Sequence, residues 1–290
     1  MTMLRAMKID ANKKKANTVI MRPLRLASAC AALAFATLTA AGAAAMGNTW
    51  EGLKADVVGS RSLQSGSGVV TLSAPIRPED QRAVPIAIDA HFTDGRTVKK
   101  VTLVVDENPM PVAAVFDMGP HQRHVTLKTA IRLNQQTEVR AIVEASDGTL
   151  YMSSRLVKFA GGQAACAAPP TGNAEEIAAN MGKMALADVP TDGNATHIAH
   201  EMRLSISHPN HTGMALDQRT LLYIPLRMIS SLEVRQGDAK LFDMTGSITI
   251  AENPYFEFPV SLTGDHNLKV VLKDSDGGEW KRSLPIRAGS

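Results

Sequence analysis

Two cysteines, two tryptophans and three tyrosines are all that the 290 residues contain, and aromatic residues make up only 4%. One cysteine, Cys30, sits in an N-terminal apolar stretch, and Cys166 is alone in the rest. Residues 46–290 therefore have no pair from which to build an internal disulfide, and an aliphatic core must hold the fold. Catalytic signatures are missing as well. "GSGVV" at 66–70 lacks the spacing and following helix of a phosphate cradle. There is no Gly-x-Ser-x-Gly elbow and no His-Glu-x-x-His. The acids lie in turn-like stretches and mark no pair for acid–base work. A basic patch interleaved with aromatics is also missing, so nucleic acid is not an expected partner.

The formal charge of +3 comes from the N-terminus. Residues 1–45 hold seven bases (Arg5, Lys8, Lys13, Lys14, Lys15, Arg22, Arg25) and one acid, Asp10. Without them the balance is 31 − 7 = 24 basic against 28 − 1 = 27 acidic residues, a net of −3. Arg22 and Arg25 precede "LASACAALAFATLTAAG", and "AAA" at 43–45 offers small residues for cleavage before Met46. This is the layout of a secretory signal, with Met21 as the better start, and it implies an exported protein. The stretch is too short and alanine-rich for a membrane span, and no later run could cross a bilayer. Cys30 lies inside the stretch rather than at its end, so it is not placed for lipid attachment. In an exported chain the odd cysteine, Cys166, points to a reactive thiol or to a disulfide-linked dimer.

Residues 46–64 read as a short helical lead-in, with Trp50, Leu53 and Val57 at helical spacing. From Val69 onward, short β-branched alternating runs are separated by turn signals: "VVTLSAP", "VPIAIDAHF", "VKKVTLVVD", "VAAVFDM", "HVTLKTAIRL", "EVRAIVEA" and "TLYMSSRLVKF". Seven such runs predict an antiparallel β-sandwich, with Pro85 and Pro109 at strand starts or edges. Residues 161–196 break the pattern as a Gly/Ala/Pro-rich linker. Within it "NAEEIAANMGKMALADV" predicts a short helix capped by Asn173, with Ile177, Met181 and Met184 on one face. Strand texture returns from His197 in "HEMRLSISH", "LLYIPLRMISSLEVRQG", "AKLFDMTG", "YFEFPVSL", "HNLKVVLKDSDG" and "EWKRSLPIR". The predicted class is all-β: two immunoglobulin-like sandwiches, 46–160 and 197–290, joined by that linker. Ser-Asp-Gly recurs at 146–148 and 275–277, and Glu-Asn-Pro at 107–109 and 252–254, which suggests two related domains.

His197, His200, His208 and His211 form two His-x-x-His pairs, but the intervening run reads as a strand. Seven strand residues span about 23 Å, at about 3.3 Å each, which is too far for one metal site. Loop-organising histidines are the better reading, and no metal or cofactor is expected. Several methionines alternate in strands or sit on the linker helix, where core filling is the usual explanation. Cys166 lies in "GGQAACAAPP", with no helix N-terminus or neighbouring base to activate it; the nearest basic residue in sequence is Lys158. It is a poor nucleophile but a good attachment point. Gly161 and Gly162 give freedom, and the alanines give a narrow profile.

These stretches resemble the SoxY and SoxZ proteins of periplasmic sulfur oxidation. "VPIAID", "VKKVTLVVDENPMPVAAVFDM" and "IRLNQQTEVRAIVEASDGTLYMSSRLVKF", followed by Gly-Gly and a Cys, resemble SoxY; "HPNHTG", "ENPYFEFPVSL" and "LKVVLKDSDGGEW" resemble SoxZ. Those are usually separate chains; this one is similar to the fused form associated with quinoprotein dehydrogenases. The resemblance implies a non-enzymatic carrier whose Cys166 holds sulfur intermediates, with Gly161 and Gly162 as the joint of a swinging arm. Partners would be periplasmic sulfur-oxidation or quinoprotein dehydrogenase enzymes. The family's Gly-Gly-Cys-Gly-Gly is altered here, since Gln163, Ala164 and Ala165 precede the Cys and alanines follow it. The arm also continues into the second domain. A flexible tether from Phe159 to His197 would span about 34 Å r.m.s.. A rival expectation is a non-covalent accessory protein with Cys166 incidental.

Overall fold

The computed structural model describes residues 49–159, 161–190 and 199–287. The stretch read as a signal sequence, with its expected cleavage point, lies outside the described residues. Helix α1 (Thr49–Val58) leads into β1 (Leu63–Ser65), β2 (Val70–Ser73), β3 (Val84–His91), β4 (Val98–Val105), β5 (Val112–Met118), β6 (His124–Ile131), β7 (Thr137–Ala145) and β8 (Leu150–Val157). A single 3-10 turn (Ala165–Ala167), helix α2 (Ala174–Asn180) and β9 (Met184–Asp188) follow. The second half comprises β10 (Ala199–Ile206), β11 (Ile229–Gln236), β12 (Ala239–Gly246), β13 (Tyr255–Ser261), β14 (Asn267–Asp274) and β15 (Glu279–Pro285).

Alternation in sequence becomes alternation in burial. In β3, Val84, Ile86, Ile88 and Ala90 face inward, and in β14 Leu268, Val270 and Leu272 do the same. Each such aliphatic side chain contributes about 1.5–3 kcal/mol on burial. On the outer face of the β4/β7/β8 layer, α1 lays Trp50 and Val58 on Val104, Ile142 and Leu150, and the Arg140 guanidinium covers the Trp50 ring at 4.6 Å. Pro85 sits at the start of β3, beyond the stretch of that strand that β2 pairs. Pro109 lies in the turn between β4 and β5.

The fold is all-β, as the alternation predicts, but its two halves share their sheets. Strand order is β1-β8-β7-β4-β5-β12-β11-β14-β15 in one sheet and β2-β3-β6-β13-β10-β9 in the other. Apart from β1, each sheet reads as a palindrome: β8-β7-β4-β5 over β2-β3-β6 in the first half answers β15-β14-β11-β12 over β9-β10-β13 in the second. The repeat inferred from Ser-Asp-Gly is therefore structural. Its two turns join β7 to β8 and β14 to β15, with Gly148 and Gly277 at φ 85° and 82°. The Glu-Asn-Pro recurrence is not part of it, since one copy joins β4 to β5 and the other precedes β13. The halves meet where β5 pairs β12 antiparallel from Ala114↔Gly246 to Met118↔Phe242, and where Lys128 of β6 faces Glu257 of β13. Phe116 of the first half packs edge-on against Phe242 and Phe256 of the second, at 5.6 Å and 6.3 Å, inside one continuous core.

Three local expectations change. Strand β1 pairs β8 in parallel, an exception to the antiparallel pattern. Helix α2 has the Asn173 cap and a reciprocal bond from Asn173 N–H to Glu176, but it stops at Asn180. Met181 ends it, Gly182 turns at φ 71°, and Met184 opens an edge strand beside β10, so the three-residue face does not form. Gly182 has a second reason to be glycine: a Cβ there would lie 2.2 Å from the Trp280 ring. Within "LLYIPLRMISSLEVRQG" only Ile229–Gln236 is a strand, and the preceding residues form a projecting hairpin.

Candidate functional site: the Cys166 seat

After β8 the chain turns at Gly161 and Gly162, whose φ values of 94° and 92° are left-handed conformations that other residues adopt only under strain. The Gln81 side-chain amide donates to the carbonyls of Gly161 (3.0 Å) and Gln163 (3.4 Å), and Gln163 in turn donates to the Ala167 carbonyl (2.9 Å). The 3-10 turn then fits between two loops, one from each half. Ala165 N–H donates to the Leu133 carbonyl at 3.2 Å, and Cys166 N–H to Asn134 Oδ1 at 2.9 Å. From the second half, the Thr212 hydroxyl donates to the Cys166 carbonyl in a short bond. Farther along, Thr171 N–H donates to both carboxylate oxygens of Glu252, at 3.0 Å and 3.1 Å. Small side chains let the turn sink in: Ala165 is 2% exposed and Cys166 0%. Pro169 and Pro170 keep the exit extended.

The linker expected over 161–196 is not loose in its described part, 161–190: that part is strapped to both halves, and Cys166 is enclosed between them. Its physical cause is hydrogen bonding from residues 32 and 46 positions away, which no local pattern announces.

Beneath the seat lies Arg132, 6% exposed, at the end of β6. Its guanidinium donates to the carbonyls of Asn210 (2.8 Å), Ile248 and Ile250 (3.0 Å each) and Pro209 (3.1 Å), all in the second half. Asn210 answers by donating to the Ser247 and Ile250 carbonyls and accepting from Ile229 N–H. The asparagines of the two Glu-Asn-Pro turns serve the same region. Asn108 accepts from Asn134 N–H and donates to the Arg132 carbonyl, and Asn253 accepts from His208 N–H.

Burial pushes the Cys166 thiol pKa upward, and the Arg132 charge opposes it. Both the upward shift and the 0% exposure favour the protonated, enclosed thiol over the thiolate. Burial also raises Glu252, against the pull of Thr171 N–H and Arg132. These residues enclose the thiol and offer it no activating base.

Of the four histidines, His208 organises a loop. His208 is fully buried. Its Nδ1 accepts from Asn210 N–H at 3.0 Å, which leaves Nε2–H to face Asp274 Oδ2 at 3.4 Å. Burial lowers its pKa to about 4, outweighing the Asp274 carboxylate. Burial works against ionisation of Asp274 too, but hydrogen bonds from Arg227 and Gly278 N–H hold its pKa below the usual range. His211 is lowered by burial and by the charges of Arg132 and Arg227. His200 lies at the other end of β10 from His208, 3.3 Å from Asp188, and His197 lies outside the described residues. Among the described residues no group of three or more His, Cys, Asp or Glu side chains is placed to hold a metal ion. No helix among them is long and apolar enough to cross a membrane. Gln81, Arg132, Asn134, Thr212 and Glu252 were not singled out by sequence. Several lie in the stretches that resemble the family ("IRLNQQ", "HPNHTG", "ENP"), and that was the available signal.

The chain carries a SoxY domain followed by a SoxZ domain, which makes it a fused SoxYZ-like protein of the sulfur-oxidation carrier family. The family described as "Sulfur oxidation protein SoxY" matches residues 54–164, and "Sulphur oxidation protein SoxZ" matches residues 191–285. The proteins of this family are carriers rather than catalysts, and they interact with sulfur-oxidation enzymes. Among solved structures, the sulfur carrier protein SoxY from Chlorobium limicola f thiosulfatophilum is 24% identical, with a TM-score of 0.30, over 37% of this chain and 88% of its own. A putative superoxide reductase from Thermotoga maritima is 14% identical, with a TM-score of 0.29, over 35% of this chain and 95% of its own. A superoxide reductase (neelaredoxin) from Ignicoccus hospitalis is 14% identical, with a TM-score of 0.25, over 33% of this chain and 87% of its own. A search of curated proteins returned no match.

Proposed function

We propose that the chain is a periplasmic carrier that holds sulfur intermediates covalently on Cys166 and offers them to partner enzymes. The observation that carries this reading is the position of Cys166. It follows the SoxY match by two residues, and it is the free cysteine of the described chain, seated between the SoxY and SoxZ lobes. The strap adds a cycle to the swinging-arm idea: thiol closed between the lobes, strap released for loading and delivery, and Gly161 and Gly162 as the joint. Joining the thiol to a sulfur anion through an S–S bond releases one proton and two electrons. A partner oxidoreductase, such as a quinoprotein dehydrogenase, would accept those electrons. Intact-mass analysis of protein from its native host, before and after reductant, tests the reading. A reducible sulfur adduct on Cys166 is expected. A bare thiol under every growth condition, with no phenotype for Cys166→Ser, overturns it.

The full burial of Cys166 also favours a second reading, a non-covalent accessory protein of a quinoprotein dehydrogenase. In that case Cys166→Ser captures the dehydrogenase as well as wild type and supports its full activity.

A further inference from the structure

Most large apolar side chains of the described residues are buried or half-buried, but four exposed ones gather on one hairpin. Leu221, Leu222 and Tyr223 are each 69% exposed, and Leu226 is 48% exposed. The hairpin runs from His211 to Arg227, closed by bridges His211↔Arg227 and Leu216↔Tyr223 and by hydrogen bonds from Ile224 N–H to Ala215 and Arg227 N–H to His211. Its tip is a built turn. Asp217 Oδ1 accepts from Arg219 and Thr220 N–H at 2.8 Å and 3.1 Å, while the Asp217 carbonyl accepts from Leu221 N–H at 2.8 Å. At the apex Leu221 takes φ 57°, a left-handed conformation that disfavours a bulky residue and that glycine or asparagine would adopt with little strain. The chain thus holds a strained leucine in a defined turn and exposes its side chain to water. Neither choice helps the fold of an isolated molecule.

Area indicates the kind of occupant. At roughly 200 Å² for a fully exposed large residue, the four present roughly 500 Å², a size that on single proteins is often functional. A stable dimer needs about 800 Å² from each partner, so this patch suits a partner that binds and leaves. Position indicates which partner. The hairpin's root is Thr212, whose hydroxyl holds the Cys166 carbonyl. Leu216, level with Tyr223, is four residues on, at most about 13 Å even at full strand spacing.

We propose that the Leu221–Leu222–Tyr223–Leu226 tip is the docking surface for the sulfur-oxidation enzymes that act on the Cys166-bound group, received by an apolar recess beside the enzyme's active-site mouth. This rests on the carrier reading above. The test is steady-state turnover of a Cys166-loaded chain by a sulfur-oxidation enzyme of the same organism. Leu222→Ser combined with Tyr223→Ser is expected to raise KM at least ten-fold, with kcat and the labelling rate of unloaded Cys166 unchanged. Leu221→Asn is expected to raise both Tm and KM, separating display from folding. An unchanged KM overturns the proposal. So does altered Cys166 labelling in the double variant, which would make the tip a support of the seat. Sedimentation of wild type as a dimer that the double variant abolishes would assign the patch to a second copy and likewise overturn it. The same enzyme's affinity for Cys166→Ser protein separates this proposal from the carrier reading. If Cys166 carries nothing, that affinity still falls with the tip substitutions as long as the docking surface is real.

Discussion

Removing one hydroxyl should unfasten the cysteine. In Thr212→Val the side chain keeps its shape, but the Cys166 carbonyl loses its donor inside a site where both residues are buried. Leaving a buried acceptor unpaired costs about 1–3 kcal/mol. That cost falls on the closed seat alone, because the released strap offers the carbonyl to water. The released fraction should rise by about 5- to 150-fold, since every 1.4 kcal/mol is about a factor of ten. With a chain beginning at Met46, Cys166 is the single thiol, and Ellman's reagent reports it directly. Wild type should label far more slowly than the same chain in denaturant. Thr212→Val should be faster by the stated factor, with Tm lowered only slightly. Because reaction proceeds through the released form, both rates should follow an ordinary thiol's titration rather than the raised pKa of the seated group. If wild type labels as fast as unfolded chain, or if Thr212→Val labels no faster than wild type, the seat does not govern the thiol.

Four further outcomes follow from the same geometry. Gly161→Ala forces a side chain into φ 94° and should favour strap release about 5-fold in the same assay, from about 1 kcal/mol of strain. Arg132→Met strips the donor from four buried carbonyls and should destabilise the chain by at least about 3 kcal/mol, read by denaturant unfolding. His208 has a pKa of about 4 when folded, against the ordinary 6.5, so only the unfolded chain takes up its proton between those values. Its contribution is complete above pH 6.5 and is lost as pH falls towards 4, by up to about 3 kcal/mol, and His208→Gln should flatten the slope. Gly182→Ala must displace the Trp280 ring and should lower Tm with a change in tryptophan fluorescence.

What the sequence made legible was whatever period and local chemistry encode. Strand faces such as Val84/Ile86/Ile88 follow a two-residue alternation, and the Asn173 cap acts three residues away on Glu176. Met184 was misassigned because the pattern of apolar residues ran on past Gly182, where the backbone reverses for the sake of Trp280, nearly a hundred residues later. The seat was illegible for the same reason on a larger scale. Arg132 meets its carbonyl partners 77 to 118 residues downstream, and nothing about an arginine after "TAI" says that it will be buried. The cysteine could be picked out because it was alone. Its enclosure could not, because composition that reads as loose linker, small and rich in alanine, is also what fits a narrow slot.

The seam between the lobes takes on another meaning once connectivity is considered. Two separate chains joined by β5 against β12, by the β6–β13 edge, by the shared Phe116 core and by the Arg132 bonds would dissociate on dilution, with an affinity set by that seam. Here the peptide between β8 and β10 holds one lobe at an effective concentration of the order of millimolar before the other, whatever the abundance of the protein. Every molecule is thereby supplied with both the residue that bears the thiol and the hydroxyl that covers it, in a fixed ratio of one to one. Sequence drift along β5 and β12 that would dissolve a two-chain assembly then leaves this one assembled.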